Sequence, residues 1–245
     1  MKQPSVLGSQ HSAREQVRSD PVLFLLFDFG GTLDAEGIPW KERFFRLCRE
    51  EGVEVSREVF DPAFFAANDA LVGRLPATLG LRETVERLAG GLAGGLGLAD
   101  GSVAGRLAAR FHAQASERLA ESARLLERLS RRYRLGIVSN FYGNLAAVCA
   151  EAGMAPSLSV TVDSAVVGCT KPDRRIFEAA LTPLRAHAGE TVFVGDSAPR
   201  DMAGAREAGM RHVWLVPREA NGAARPCCPG DAMIRRLAEI EEILP

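Results

Sequence analysis

The chain has 245 residues, of which 47% are apolar and 25% charged, enough for a sizeable core. A formal net charge of -1 gives no global electrostatic case for nucleic acid. The longest apolar run, Val22 to Phe27, is far short of a bilayer, so no membrane association is expected.

Residues 1–20 are polar, lack an apolar h-region, and read as a flexible N-terminal tail rather than a signal peptide. The run Val22 to Phe27 has no helical period, and Asp28 and two glycines follow it. It reads as a buried parallel strand whose C-terminal end opens onto a site. A turn-forming stretch, Asp34 to Pro39, leads into about eighty residues without a convincing strand. Trp40, Phe44, Phe45, Leu47 and Cys48 share one helical face, which ends near Gly52. Asp61 and Pro62 read as N-cap and first residue of a second helix reaching about Val72. Leu81, Val85, Leu88 and Leu92 mark a third helix, and Gly90 to Gly101 reads as a linker. Val103, Leu107, Phe111 and Ala115 mark a fourth, entered through Asp100 and running into Leu119.

Beyond Glu121 a separate helix is expected over 123–132. Strands at Leu135–Val138, Leu158–Val162 and Val192–Val194 then alternate with helices over 144–152, 172–183, 200–208 and 233–244. Such alternation argues for an α/β fold, a parallel sheet covered by helices on both faces. The organisation expected is an α/β core of residues 21–34 and 122–245, interrupted by a helical segment, 35–121. Five cysteines, an odd number with no export signal, read as reduced thiols of a cytoplasmic protein. Cys48, Cys149 and Cys169 suit packing, and Cys227-Cys228 lacks zinc-ligand spacing. The four histidines, His11, His112, His187 and His212, form no ligand pattern.

Four short motifs carry the chemistry: Asp28-Phe29-Gly30-Gly31-Thr32, Ser139-Asn140, Lys171-Pro172, and Gly195-Asp196-Ser197 with Asp201. Each has a bland reading. Asp28 or Asp196 alone could be a helix N-cap, Ser139-Asn140 a strand-to-helix turn, and Lys171-Pro172 a helix start. Together, in this order, they resemble the haloacid dehalogenase superfamily over roughly residues 22–244. The resemblance implies a Rossmann-like parallel sheet with an inserted helical cap over 35–121. It also implies a Mg2+ cofactor and a phosphorylated small-molecule substrate, hydrolysed through an aspartyl-phosphate at Asp28. By similarity the metal ligands would be Asp28, the carbonyl of Gly30, Asp196 and Asp201. Thr32, Ser139 and Asn140 would serve the substrate side, and Lys171 would pair with Asp28 and the transferring group. Such parts suit phosphoryl transfer, which needs mainly positioning and charge neutralisation.

One departure is informative. The phosphatases of this superfamily usually carry a second aspartate two residues after the nucleophile, as general acid and base, and here that residue is Gly30. Its absence should cost ~10² to 10⁴-fold with poor alkoxide leaving groups, and less with acyl phosphates and phosphoanhydrides. Related enzymes without that aspartate include P-type ATPases, phosphonoacetaldehyde hydrolases with a cap lysine, and metal-free 2-haloacid dehalogenases. Lys41 is the single cap lysine available for a Schiff base, and otherwise reads as a solvated first-turn residue. A non-catalytic phosphate- and Mg2+-binding protein, or an enzyme cleaving C–P or C–halogen bonds, remain the alternatives. Arg43, Arg74, Arg82 and His112 are candidates to meet an anionic substrate tail.

Overall fold

The computed structural model describes residues 21–218 and 232–244. The expected N-terminal tail and the Cys227-Cys228 pair lie outside the described residues. Six strands form one parallel sheet: β1 (Phe24–Phe27), β2 (Arg134–Ser139), β3 (Leu158–Asp163), β4 (Thr191–Gly195), β5 (Arg211–Leu215) and β6 (Ala232–Ile234), in the order β3-β2-β1-β4-β5-β6. β1 lies at the centre, with Phe27 in register with Ile137 on one side and Val194 on the other. Its side chains alternate between two apolar layers. Leu25 and Phe27 join one, and Phe24 and Leu26 the other, so both faces are covered, as the unbroken apolar run required.

The strand order reverses between β1 and β4, and open α/β sheets form their ligand crevices at that point, beyond the C-terminal strand ends. Between β1 and β2 the chain makes four helices: α1 (Trp40–Glu50), α2 (Arg57–Asp69), α3 (Leu81–Gly95) and α4 (Ser102–Leu129). No described helix is long and apolar enough to cross a membrane.

The structure corrects several helix limits. Pro62 lies inside α2, which starts a turn earlier after Ser56. Phe60 N–H already bonds to the Ser56 carbonyl, so the ring removes only one later bond of the ladder. The expected glycine linker is partly helix, because α3 runs through Gly95. A Cβ at Gly91 would come within 3.1 Å of Ala67 Cβ, and one at Gly95 within 3.4 Å of Ala63 Cβ. The glycines therefore allow α3 to close on α2.

The fourth insert helix and the helix expected over 123–132 are one 28-residue helix, α4. Its buried stripe continues from Leu107, Phe111 and Ala115 through Leu119, Ser122, Leu126 and Leu129, and neither glycine nor proline interrupts it after Gly105. Later helices are α5 (Leu145–Glu151) and α6 (Arg174–Leu184). α6 begins after Asp173, whose carboxylate accepts from Arg175 N–H at 2.9 Å, rather than at Pro172. The segment expected as a helix over 200–208 is a π-helical turn, Ala198–Met202, continued by α7 (Ala203–Glu207).

Two strands escaped the sequence reading. Arg211–Leu215 has a mixed pattern, and Met233 lies in β6 instead of opening a helix; only short helical turns, Leu237–Glu239 and Ile240–Ile243, follow. Pairing with a neighbour fixes such short strands more than composition does.

Candidate active site

Asp28 is the first residue beyond β1, and its N–H still bonds to the Val194 carbonyl of β4 at 2.9 Å. Sheet pairing thus fixes the backbone of the carboxylate. Its Oδ1 accepts from Ser139 Oγ, the last residue of β2, at 2.8 Å, and from Lys171 Nζ at 2.5 Å. Its Oδ2 receives one long contact, from Thr32 Oγ1 at 3.5 Å. Lys171 Nζ also lies 2.7 Å from Asp201 Oδ1, so one buried ammonium bridges two acids. Burial alone would pull that ammonium's pKa down, but Asp201 and Asp28 outweigh it, and it stays above the ordinary lysine value.

Asp196 follows β4, and its Oδ1 accepts from Thr32 Oγ1 at 3.2 Å. Carboxylate oxygens of Asp28, Asp196 and Asp201 lie within 4.8 Å of one another. Burial first, then Asp28 and Asp201, push the Asp196 pKa well up; burial and Asp28 likewise raise Asp201 against the pull of Lys171. Three acids share one ammonium, and Asp196 Oδ2 is buried with no hydrogen-bond partner. An all-oxygen donor set with excess negative charge and an unpartnered oxygen fits a hard divalent cation. Glycines make the room. A Cβ at Gly31, where φ is +97°, would meet Asp196 Oδ2 at 2.5 Å, and one at Gly195 would meet Asp201 Oδ2 at 2.5 Å.

Asn140 is tied to the lysine. Its Oδ1 accepts from Lys171 N–H at 2.8 Å and its Nδ2 donates to the Lys171 carbonyl at 3.3 Å. It holds the lysine's backbone, although it also lines the cavity above the carboxylates.

That cavity, about 390 Å³, is bordered by Asp28, Gly30, Ser139, Lys171 and Asp201 below and by residues of α1 and α2 above. The expected anion-contacting residues are elsewhere: none of Arg43, Arg74, Arg82 and His112 lines it. Lys41 does, with its Nζ 2.7 Å from Asp61 Oδ2 and 5.3 Å from the centre of the Phe65 ring.

Gly30 is not among the glycines at positive φ, so its backbone would accept a side chain. Trp40 occupies the space instead. A Cβ at Gly30 would lie 3.3 Å from Trp40 Nε1 and 3.5 Å from Cδ1. Trp40 is the first residue of α1, and helical side chains lean toward the N-terminus, which carries the indole past the helix end. Its N–H donates to Asp34 Oδ2 at 2.7 Å.

Asp34 is the residue that motif reading missed. Fully buried, it accepts from Gly31 N–H at 2.7 Å, from Trp40, and from Arg43 Nη1 at 2.6 Å; Arg43 in turn donates to the Phe111 carbonyl at 3.3 Å. Burial raises the Asp34 pKa against the pull of Arg43, and lowers that of Arg43 against the pull of Asp34. The nucleophile loop, α1 and α4 are thereby joined through one buried ion pair. A second unforeseen organiser is Asp163 at the end of β3, which accepts from Gly143, Leu145 and Ala165 N–H and so fixes the loop bearing Phe141 and Tyr142. Both are acids beside turn residues, a pattern that in sequence is indistinguishable from surface caps. Cys48 and Cys149 are buried free thiols, pushed up by burial to about 11 and about 12, as packing residues would be.

Comparison with known proteins bears on the family and the fold. A family model described as a haloacid dehalogenase-like hydrolase matches residues 24–209. Phosphoserine phosphatase of Thermus thermophilus is 35% identical over 92 residues, 38% of this chain and 35% of that protein. Haloacid dehalogenase-like hydrolase domain-containing protein 3 of Bos taurus is 31% identical over 109 residues, 44% of this chain and 43% of the other. In both cases less than half the length of the curated relative is spanned. Among solved structures, a magnesium-bound HAD-hydrolase YfnB from Bacillus subtilis superposes with a TM-score of 0.56 at 20% identity, covering 92% of this chain and 99% of the other. A dehalogenase superposes with a TM-score of 0.63 at 21% identity, over 92% and 98%. At these identities the superpositions establish the fold alone.

Proposed function

The chain belongs to the haloacid dehalogenase-like hydrolase family, and from that premise we propose a magnesium-dependent phosphohydrolase that acts on a phosphorylated small molecule through an aspartyl-phosphate at Asp28. The observation that carries the reading is the cluster itself: Asp28 held by Ser139 and Lys171 within 4.8 Å of two further acids, at the floor of a cavity. In this reading residues 35–121 form a cap over the core of residues 21–34 and 122–245, and the thiols stay reduced in the cytoplasm.

Asp28 attacks phosphorus, the bond from phosphorus to the leaving oxygen breaks, and its electron pair goes to that oxygen. A water then attacks the phosphorus of the aspartyl-phosphate, releasing inorganic phosphate and restoring the Asp28 carboxylate. Asp28, Asp196, Asp201 and the Gly30 carbonyl would hold a magnesium ion, which when bound would supply charge neutralisation between the two anions. Lys171 pairs with Asp28 and remains beside the phosphoryl oxygens as they gain charge, and the Ser139 hydroxyl orients the carboxylate. Asn140 fixes Lys171, and Thr32 spans Asp28 and Asp196.

No side chain at position 30 delivers a proton to the leaving oxygen. The Trp40 N–H is committed to Asp34, and the Tyr142 hydroxyl, whose pKa burial drives upward, donates to Asn68 Oδ1 at 2.8 Å. The substrate is therefore one whose leaving group departs without such help.

Purified protein should hydrolyse acetyl phosphate and p-nitrophenyl phosphate with magnesium, and Asp28→Asn should not. Magnesium and phosphate binding without turnover would replace this reading with a non-catalytic binding protein. Metal-independent halide release, or borohydride trapping of a substrate on Lys41, would replace it with carbon–halogen or carbon–phosphorus cleavage.

A further inference from the structure

The wall of the cavity opposite the carboxylates is aromatic. Trp40, Phe64, Phe65, Phe141 and Tyr142 line it, in a chain only 7% aromatic. Phe65 also lines the cavity and is 51% exposed, with the Phe64 ring edge-on at 6.0 Å and the Lys41 ammonium 5.3 Å from its ring centre. The charged groups on this wall are already paired with one another. Lys41 meets Asp61 at 2.7 Å, and Glu42 accepts from Arg57 Nη1 at 2.8 Å and from Nη2. The wall thus offers planar apolar surface, and its cations are neutralised locally. A second negative charge directed at α1 and α2 would meet no uncommitted cation on those helices and would lose its hydration; the guanidinium lining the cavity, Arg200, lies in the turn beyond β4, with its Nε 3.1 Å from Ser197 Oγ.

Leaving-group chemistry points the same way. With an indole where a general acid would stand, the departing oxygen has to be stable as an anion. An oxygen conjugated to an aromatic ring satisfies that demand and brings the ring that the wall would contact. From these two observations we infer that the substrate is an aryl phosphate, a phosphate monoester of an uncharged aromatic alcohol. The inference deepens the hydrolase reading and rests on it. The attack of Asp28 breaks the phosphorus–aryl-oxygen bond and expels aryloxide, which takes a proton from water. Water then cleaves the aspartyl-phosphate, so one water is consumed for each phenol and phosphate released.

Two measurements separate the substrate class from the reaction. The first is kcat/KM of the magnesium-loaded protein for phenyl phosphate, benzyl phosphate, 4-carboxyphenyl phosphate and acetyl phosphate, with Asp28→Asn as control. Phenyl phosphate should exceed benzyl phosphate, which keeps the ring but expels an alkoxide, by about 10²-fold or more. It should exceed the carboxylated ring by about tenfold.

The second is calorimetric binding of phenylphosphonate and methylphosphonate, which need no turnover. The phenyl compound should bind about tenfold more tightly, and Phe65→Ala should remove most of that difference while leaving the thermal melt in place. Equal binding of the two phosphonates, or turnover of acetyl phosphate without phenyl phosphate, overturns the aryl assignment and leaves the hydrolase reading standing. No Asp28-dependent turnover of any phosphate overturns both.

Discussion

The floor and the opposite wall of the cavity are built on opposite principles. On the floor, unlike charges are concentrated: three buried acids and one ammonium come from the ends of β1 and β4, the turn beyond β4 and the loop before α6, with Ser139 from β2. On the wall, charges cancel in pairs along α1 and α2 and aromatic rings make the surface. Strand ends hold Asp28, Ser139 and Asp196 on the floor, which suits groups that act on a single phosphorus atom. Apolar side-chain packing sets the wall, which suits selection by shape and polarity. Reaction and selectivity thus reside in separate layers, and substitutions should divide accordingly.

The largest effect should come from the centre of the floor. Asp28→Asn removes the nucleophile and should lower kcat by about 10⁴-fold or more, with the protein still folded by circular dichroism. Lys171→Met should follow, with kcat down by about 10² to 10³-fold and little change in the ratio of phenyl to benzyl phosphate turnover. If that ratio shifts strongly, floor and wall are not separable in this way.

The floor's charge imbalance also predicts a pH effect on stability. Asp196 and Asp201 have folded-state pKa values above their ordinary ones, so between those values this pair holds more protons in the folded metal-free protein than in the unfolded chain. The contribution of this pair to stability should therefore be greatest below about pH 4, the unfolded carboxylate value, and decline as pH rises toward the raised folded values. Magnesium at a hundredfold excess over its Kd should restore about 2.7 kcal/mol at pH 7. Thermal melts with and without magnesium across this range check both points, and a metal-free melting temperature that climbs through that window would contradict the argument.

The smallest effect should be at the junction of the two layers. Gly30→Asp restores the general acid of the related phosphatases on paper, but its Cβ would already press on Trp40 Nε1. We expect a gain with benzyl phosphate well short of the ~10² that a placed acid provides, and a larger gain when Trp40→Ala accompanies it. A full gain from the single substitution would show that the indole is no obstacle.

Legibility in the sequence followed the same division. Asp28, Ser139, Lys171, Asp196 and Asp201 could be read because each ends or follows an apolar strand or carries a short signature, and backbone geometry then brings them together. Thr32 and Gly30 lie within the first of those signatures. The posts of Asp34 and Trp40 depend on contacts six to nine residues apart between the nucleophile loop and the first turn of α1, which no periodicity encodes. Asn140 was recognisable as a site residue, but its actual partners, the backbone groups of Lys171, were not. Of the sheet, the three strands with apolar runs and β3, with its alternating Leu158, Val160 and Val162, were legible. β5, with Arg211 and His212 in its five residues, and the three-residue β6 were not, because their pairing creates them. The glycines of α3 misled because glycine usually ends helices, whereas here Ala63 and Ala67 of the neighbouring helix require their small size.

The uninterrupted α4 has a consequence for how the molecule comes apart. Its first half packs among Phe44, Leu88 and Leu92 and its second half beneath the sheet with Leu25 and Ile137, all within one continuous apolar cluster. Ser122 Oγ, in its second half, donates to the Leu33 carbonyl at 2.7 Å. Melting the insert would fray the ladder of a helix that the sheet also needs, so the two halves share one cooperative unit. Calorimetry should record a single heat-absorption peak rather than an early insert transition followed by a later core transition.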